Sequence, residues 1–386
     1  MKVVIDGLIF QKDPHGGIAR LFGEILPRMC EIDPDLQVRL FLDGPARAEL
    51  PVHSQIELVR APAVKRTLRV QGFWRKVLYP ARRLASQAWN RVRGRWLSAE
   101  RDAIWHSTFY TLPPPGWQGP QVAMVYDLIP EKFPGDFNDP LDEVGRQQKQ
   151  HCIAQASAVI CISQATRREV QRLYPQRPER LEAISLACSP VFRRLEPPPP
   201  LDSPELGGPF LLYVGGRSPY KNFTGLLDAY AGWHGRSNVP LVVVGAPWTP
   251  DEHRRLDQAG LSGNLRLLTG VSDEMLCRLY NRAAAFVYPS LDEGFGIPLL
   301  EAMACGCPLV ASDIPPTREV AAGCPFYFQP GQPETLRAAF DHALAAGKNS
   351  PQVQAGLERV RGFSWEQTAA ETLAVYRAVL PGAPHA

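Results

Sequence analysis

What the 386-residue chain lacks narrows its function before any motif does. No apolar run approaches the ~18 residues needed to span a bilayer, so an integral membrane protein is not expected. None of the 8 cysteines forms a Cys-x-x-Cys pair, and no Cys/His cluster has the spacing of a zinc site. The cysteines fall mostly inside apolar stretches, the usage expected in a reduced, cytosolic compartment. The first residues, MKVVIDGLIF, have the flanks of a buried strand and not of a signal peptide. No short-period repeat marks a solenoid. With 45% hydrophobic and 21% charged residues, the composition excludes collagen-like and globally disordered chains.

What is present is proline, 38 of them, and a regular alternation of apolar runs with helical patterns. In the first half KVVIDG, LQVRLFLDG, QIELVR, AIWHS, QVAMVYD and AVICIS read as short strands. In the second half PFLLYVGG, VPLVVVGA, NLRLLTG, AAAFVYPS and CPLVASD continue the scheme. Near-continuous apolar strands separated by helices indicate parallel sheets covered on both faces. The run from Pro197 to Pro200, continuing to Gly207 and Gly208, suits neither a helix nor a central strand. The expected fold class is therefore α/β, with two doubly wound domains facing a cleft. Residues 1–190 form the first, 191–208 the linker and 209–365 the second. Residues 366–386 would be a helix and tail packing back toward the first domain.

Charge divides along the same boundary. Residues 1–196 hold 28 Lys+Arg against 21 Asp+Glu, whereas residues 197–386 hold 14 against 18. A basic first half and an acidic second half suggest different partners. In open parallel sheets ligands bind outside the carboxyl ends of strands, so the residues just after strands matter most.

The most informative of these is AFVYPSLDEGFGIPLLEAMACGCPLVASD. A strand ends at Tyr288, a loop runs through Glu293, Gly294, Phe295 and Gly296, and Pro298 suits the first turn of the next helix. Gly294 and Gly296 let backbone N–H groups approach a ligand, and the helix amino end favours an anion. Glu301, read as lying in the first turn, is placed to accept hydrogen bonds from ribose or sugar hydroxyls. The pair Glu293 and Glu301, with seven residues between them within EGFGIPLLEAMACGCPLV, resembles the signature of retaining glycosyltransferases of the GT-B fold, family 4. The resemblance covers nearly the whole chain and is strongest over residues 210–320. It implies a mannosyltransferase-like enzyme with no cofactor and no metal, whose nucleotide diphosphate sugar is a substrate.

The resemblance assigns further residues. In LLYVGGRSPYKNF, Lys221 before an Asn and Arg217 nearby would hold the donor diphosphate. In DPHGGIARLF, Gly16 and Gly17 would meet the donor phosphate from the opposite domain, and Arg20 follows one turn into the helix. Within TGVSDEML, residues 269–276, backbone groups near Val271 would meet the base. Two strand ends of the first domain supply catalytic candidates: His106 in IWHSTFYTLP and Asp127 in AMVYDLIPEKFP. Relatives commonly read His-Asp at the second, where this chain has Tyr126 and Asp127, so a catalytic histidine does not carry over directly. His106 is either its substitute or structural; Asp127 would grip a donor-sugar or acceptor hydroxyl. Ser163 and Thr166 in CISQATRREV read as a helix cap, Cys305 and Cys307 as small-residue packing, and Asp33-Pro-Asp35 as a surface turn.

The segment 65–101 stands apart, with eleven Lys/Arg, one acidic residue and Trp74, Trp89 and Trp96 among them. Arginines interleaved with tryptophans fit an anionic bilayer surface and a lipid-linked acceptor. A nucleic-acid partner is not expected, because the rest of the chain is enzyme-like. Together these features predict a glycosyltransferase peripherally attached to the inner face of the cytoplasmic membrane. It would move a hexose from a nucleotide sugar, with GDP-mannose favoured and UDP-sugars open, to a growing or lipid-linked surface glycan. A non-catalytic sugar-nucleotide-binding or scaffold protein and a nucleotide-sugar epimerase remain as alternatives.

Overall fold

The computed structural model describes residues 1–12, 17–60, 97, 100, 102–198, 200–201 and 207–381. Two wholly parallel sheets carry it. The first has seven strands: β1 (Lys2–Asp6), β2 (Gln37–Leu42), β3 (Ile56–Arg60), β4 (Ile104–Ser107), β5 (Gln121–Val125), β6 (Ala158–Cys161) and β7 (Leu181–Ala183). Their order is β3-β2-β1-β4-β5-β6-β7. The second has six: β8 (Leu211–Val214), β9 (Leu241–Val244), β10 (Leu265–Leu268), β11 (Ala285–Tyr288), β12 (Leu309–Ser312) and β13 (Phe326–Phe328). Their order is β10-β9-β8-β11-β12-β13. In both, the chain leaves the first strand toward one edge and then returns to its other side. That reversal opens a crevice at the carboxyl ends of the central strands.

All eleven runs expected as strands are strands. The two unforeseen ones, β7 and β13, are three-residue edge strands whose sequences, LEA and FYF, carry no apolar run long enough to stand out. The central strands β4, β6, β9, β11 and β12 are buried along their whole length. Valine- and isoleucine-rich strands of this kind lie flat between two helical layers.

Proline has a defined place in this plan. Pro140, Pro250, Pro298, Pro315, Pro333 and Pro351 all stand in the first turn of a helix, where the missing N–H is no loss. The last helix, Trp365–Ala378, leaves the second sheet and packs on the Gly17–Ile32 helix beside the first. Thr368 Oγ1 donates to the Ser185 carbonyl at 2.7 Å, Arg28 pairs with Glu366 at 2.8 Å, and Arg377 pairs with Asp33 at 3.0 Å. This helix therefore straps the two halves together behind the cleft. Among the described residues no helix is long and apolar enough to cross a membrane.

Candidate active site

A cleft of about 1050 Å³ lies where the carboxyl ends of the two sheets face each other. Of the residues singled out in the sequence, it is lined by Gly17, Arg20, Tyr126, Asp127, Lys221, Val271, Glu293, Gly294, Phe295, Gly296 and Glu301. Gly16 and the segment 65–96 lie outside the described residues, so the membrane-binding expectation rests on sequence alone.

The loop after β11 forms the cleft's floor. Glu293 Oε1 accepts from Lys221 Nζ at 2.7 Å and from Ser290 Oγ at 2.6 Å. Burial alone would lower the Lys221 ammonium, but the adjacent Glu293 carboxylate outweighs it and the pKa is raised. Lys221 therefore stays charged at any physiological pH. It extends from the short turn Pro219–Lys221 after β8, beside the ring of Tyr220, another cleft residue. Asn222 stands at the amino end of the following helix without capping it through its side chain. It adopts a left-handed conformation, φ 54°, and its side chain donates to the Pro289 carbonyl at 3.1 Å, tying the two loops together.

Gly294 and Gly296 are glycines for different reasons. A Cβ on Gly294 would stand 1.6 Å from the Tyr126 carbonyl oxygen, so only glycine lets the two halves touch there. Gly296 has φ +117°, a conformation that other residues rarely adopt. It opens the Ile297–Ala304 helix, with Pro298 in its first turn. Because the helix starts at Ile297, Glu301 stands one turn further in than the sequence suggested.

Glu301 is buried, 6% exposed, and Oε2 accepts from the Tyr280 hydroxyl at 3.0 Å. Burial pushes its carboxyl up to about 7, with the Tyr280 hydrogen bond and Arg20 pulling the other way. Arg20 reaches across the cleft to pair with Asp273 at 2.5 Å and to lie 3.9 Å from Glu301. Asp273 sits inside the segment 269–276, but only the fold shows that it faces Arg20.

From the first half, Asp127 lies after β5 with its Oδ1 accepting from the Ile129 amide at 3.2 Å. Burial raises its carboxyl pKa, and nearby Lys149 partly offsets this. Lys149, itself buried, donates to the Asp127 carbonyl at 3.1 Å and pairs with Glu131 at 3.0 Å. This support was not legible in the sequence, since Lys149 sits in the polar run RQQKQH, residues 146–151, of the helix Pro140–Gln155. Tyr126, in place of the usual histidine, donates to the Thr108 carbonyl at 2.9 Å and so points into its own half.

Two candidates are placed elsewhere. Arg217 is not among the cleft-lining residues. Its guanidinium pairs with Glu252 at 2.5 Å, donates to the carbonyls of Ala246 and Pro247 at 2.9 Å, and stacks over Trp248. The pair holds the Glu252 carboxyl down to about 2. All three guanidinium nitrogens donate to the loop after β9 or to Glu252 in the helix that follows it. His106 is wholly buried and does not line the cleft. Its Nδ1 is hydrogen-bonded to the Tyr376 hydroxyl and its ring packs edge-on against Phe22 and Tyr376. Burial pushes its pKa down to about 3, so it stays a neutral packing residue between β4 and the last helix. A strand-end position pointed to the cleft, but the side chain is enclosed in the core between the Gly17–Ile32 helix and the last helix.

Comparison with known proteins gives a consistent result. The model of the Glycosyltransferase Family 4 matches residues 16–188, and that of Glycosyl transferases group 1 matches residues 203–354. O-antigen chain mannosyltransferase B of Escherichia coli is 29% identical over 382 residues, spanning 95% of this chain and 97% of its own. Among solved structures, a sucrose-phosphate synthase from Thermosynechococcus elongatus superposes with a TM-score of 0.73 at 20% identity over 98% of both chains. Anabaena HepE in complex with UDP-glucose gives 0.67 at 18% identity, over 97% of this chain and 100% of its own. These likenesses confirm the GT-B fold.

Proposed function

Because the chain belongs to the family 4, group 1 glycosyltransferases, we propose that it moves a hexose from a nucleotide diphosphate sugar to a hydroxyl of a growing or lipid-linked glycan. The transfer retains the donor's anomeric configuration and uses neither a metal ion nor a cofactor. The observation that carries this reading is the Lys221–Glu293 pair in a cleft whose facing wall holds Gly17 and Asp127.

Lys221, the amides around Gly294–Gly296 and the amino end of the Ile297–Ala304 helix stabilise the departing diphosphate, a term that is often the largest in such reactions. Glu293 contacts the transferred sugar, Glu301 the ribose, and Asp127 a donor-sugar or acceptor hydroxyl. Gly17 admits the donor phosphate from the opposite wall, and the segment around Val271 meets the base. The acceptor oxygen attacks the anomeric carbon from the face that the leaving group departs. The carbon–oxygen bond to the diphosphate breaks, and the acceptor proton passes to a donor phosphate oxygen. Arg217 and His106 take no part.

The first half would bind the acceptor and the second the nucleotide sugar. The relative named for O-antigen mannosylation supports mannose as the transferred sugar and surface-polysaccharide synthesis, with GDP-mannose the donor we favour. A neighbour solved with UDP-glucose keeps UDP donors in view. The cations and tryptophans of 65–101 support peripheral attachment to the inner face of the cytoplasmic membrane.

Incubation with a panel of nucleotide sugars tests the reaction class. Release of free nucleoside diphosphate, undiminished by EDTA, is expected. An altered nucleotide sugar would identify an epimerase, and no turnover with any donor or acceptor preparation a binding protein. Calorimetry against GDP and UDP then decides the base.

A further inference from the structure

Ser163 and Thr166 form the expected cap, in which Ser163 Oγ accepts from the Thr166 amide at 2.9 Å and opens the Gln164–Leu173 helix. Their hydroxyls also do something a cap does not require. Both point at one atom of the other half, the Gly294 carbonyl oxygen, at 2.6 Å from Ser163 Oγ and 3.0 Å from Thr166 Oγ1. Both side chains are buried, at 1% and 4% exposure. The two hydroxyls also lie 3.0 Å from each other; with the single Ser163 hydroxyl hydrogen on the nearer Gly294 oxygen and the Thr166 hydroxyl donating to the same atom, both lone pairs of that carbonyl are filled.

That carbonyl belongs to the peptide linking Gly294 to Phe295. Because a peptide is planar and trans, fixing the C=O fixes the Phe295 N–H, which points the opposite way, off the Gln164–Leu173 helix. Among the described residues no acceptor is paired with the N–H of Phe295 or Gly296. Neighbouring contacts hold the same crossing in register. Glu319 accepts from the Gln164 and Ala165 amides at 2.6 and 2.7 Å, and Lys132 pairs with Asp292 at 2.8 Å.

We propose that Ser163 and Thr166 are positioning residues for the diphosphate cradle: from the first half, they set the orientation of the Gly294–Phe295 peptide and thereby aim its N–H at the donor. The inference rests on reading Gly294–Gly296 as that cradle. It makes the cradle a composite of both halves, complete only when the two are closed on each other. Simple interface packing would be served by apolar side chains; two hydroxyls converging on one carbonyl impose direction. Recognition of the donor's second phosphate is then sensitive to residues in the half that would bind the acceptor.

The test compares binding of GDP with GMP, and of UDP with UMP, by calorimetry. The variants are Ser163→Asp/Thr166→Val, which retains a cap acceptor but removes both donors, and Thr166→Val alone, which leaves the Ser163 cap intact. In whichever base the parent prefers, the double variant should bind the diphosphate about tenfold more weakly, the scale of one or two misplaced charge-assisted hydrogen bonds. Monophosphate binding should change by less than about twofold. Thr166→Val should show a smaller loss of the same kind, relieved in Thr166→Ser. Equal weakening of both nucleotides would reduce the pair to a structural role and overturn the proposal, as would unchanged diphosphate binding. A parent that binds the diphosphate no better than the monophosphate would instead overturn the cradle itself.

Discussion

Lys221 Nζ and Glu293 Oε1 lie 2.7 Å apart, on two loops that follow β8 and β11, neighbouring strands of the second sheet. The adjacency of these strands is what brings together two residues 72 positions apart in the chain. On the proposed reading, the cation that would face the leaving diphosphate and the carboxylate that would meet a sugar hydroxyl hold each other in place.

Removing the cation should therefore strike the chemical step. Lys221→Ala is expected to reduce the turnover of nucleotide sugar by roughly 10²–10³, the usual effect of losing one group that faces developing charge. The variant also frees Glu293 from its counter-ion, so the rate is read on protein whose circular dichroism and melting match the parent. Near-normal turnover would remove Lys221 from the mechanism.

Glu301 makes the site sensitive to pH. Its folded pKa of about 7 lies above the ordinary 4.5, with Tyr280, Arg20 and Asp273 as its charged or titratable neighbours. The folded state therefore holds the proton more tightly than the unfolded state. The resulting stability is complete below pH 4.5 and is lost as pH rises through about 7. Nucleotide binding should run the other way, strengthening toward pH 8 as the carboxylate forms to accept ribose hydroxyls. Glu301→Gln should flatten both profiles; a binding profile that stays unchanged would remove Glu301 from the ribose contact.

His106 supplies the opposite case. With a folded pKa of about 3 against the ordinary 6.5, it contributes stability that is present above pH 6.5 and lost as pH falls toward 3. His106→Ala should lower stability by about 2–4 kcal/mol through the cavity it leaves between β4 and the last helix. The rate per folded molecule, at a temperature where the variant is folded, should remain within about twofold of the parent. A large loss of kcat in folded protein would restore it as a catalytic residue.

These contrasts show how far the sequence was readable. Strand runs such as LVVV and AFVY announce themselves, because burial on both faces demands them, while the edge strands LEA and FYF do not. That Lys221, Glu293, Gly294 and Gly296 would line the cleft was legible because a local spacing carries them. That Arg217 and His106 turn away from it was not, because a side chain's direction after a strand depends on neighbours far along the chain: Glu252 and Trp248 for one, Tyr376 for the other. Ser163 and Thr166 hid a second role behind a familiar first one.

The basic segment yields a prediction of its own. Binding to vesicles should rise with anionic lipid and fall with salt. It should weaken when Arg82, Arg83, Arg91, Arg93 and Arg95 are neutralised together. If that variant co-sediments like the parent, or the parent ignores anionic vesicles, the segment is not a membrane contact.

The central claim, same-face transfer from a nucleotide diphosphate sugar held in this cleft, is tested most directly by proton NMR. The sugar first released from, or transferred by, the enzyme is followed from the α-linked donor before mutarotation scrambles the anomers. The account predicts an α product accumulating in step with free nucleoside diphosphate. A β product appearing first would contradict it.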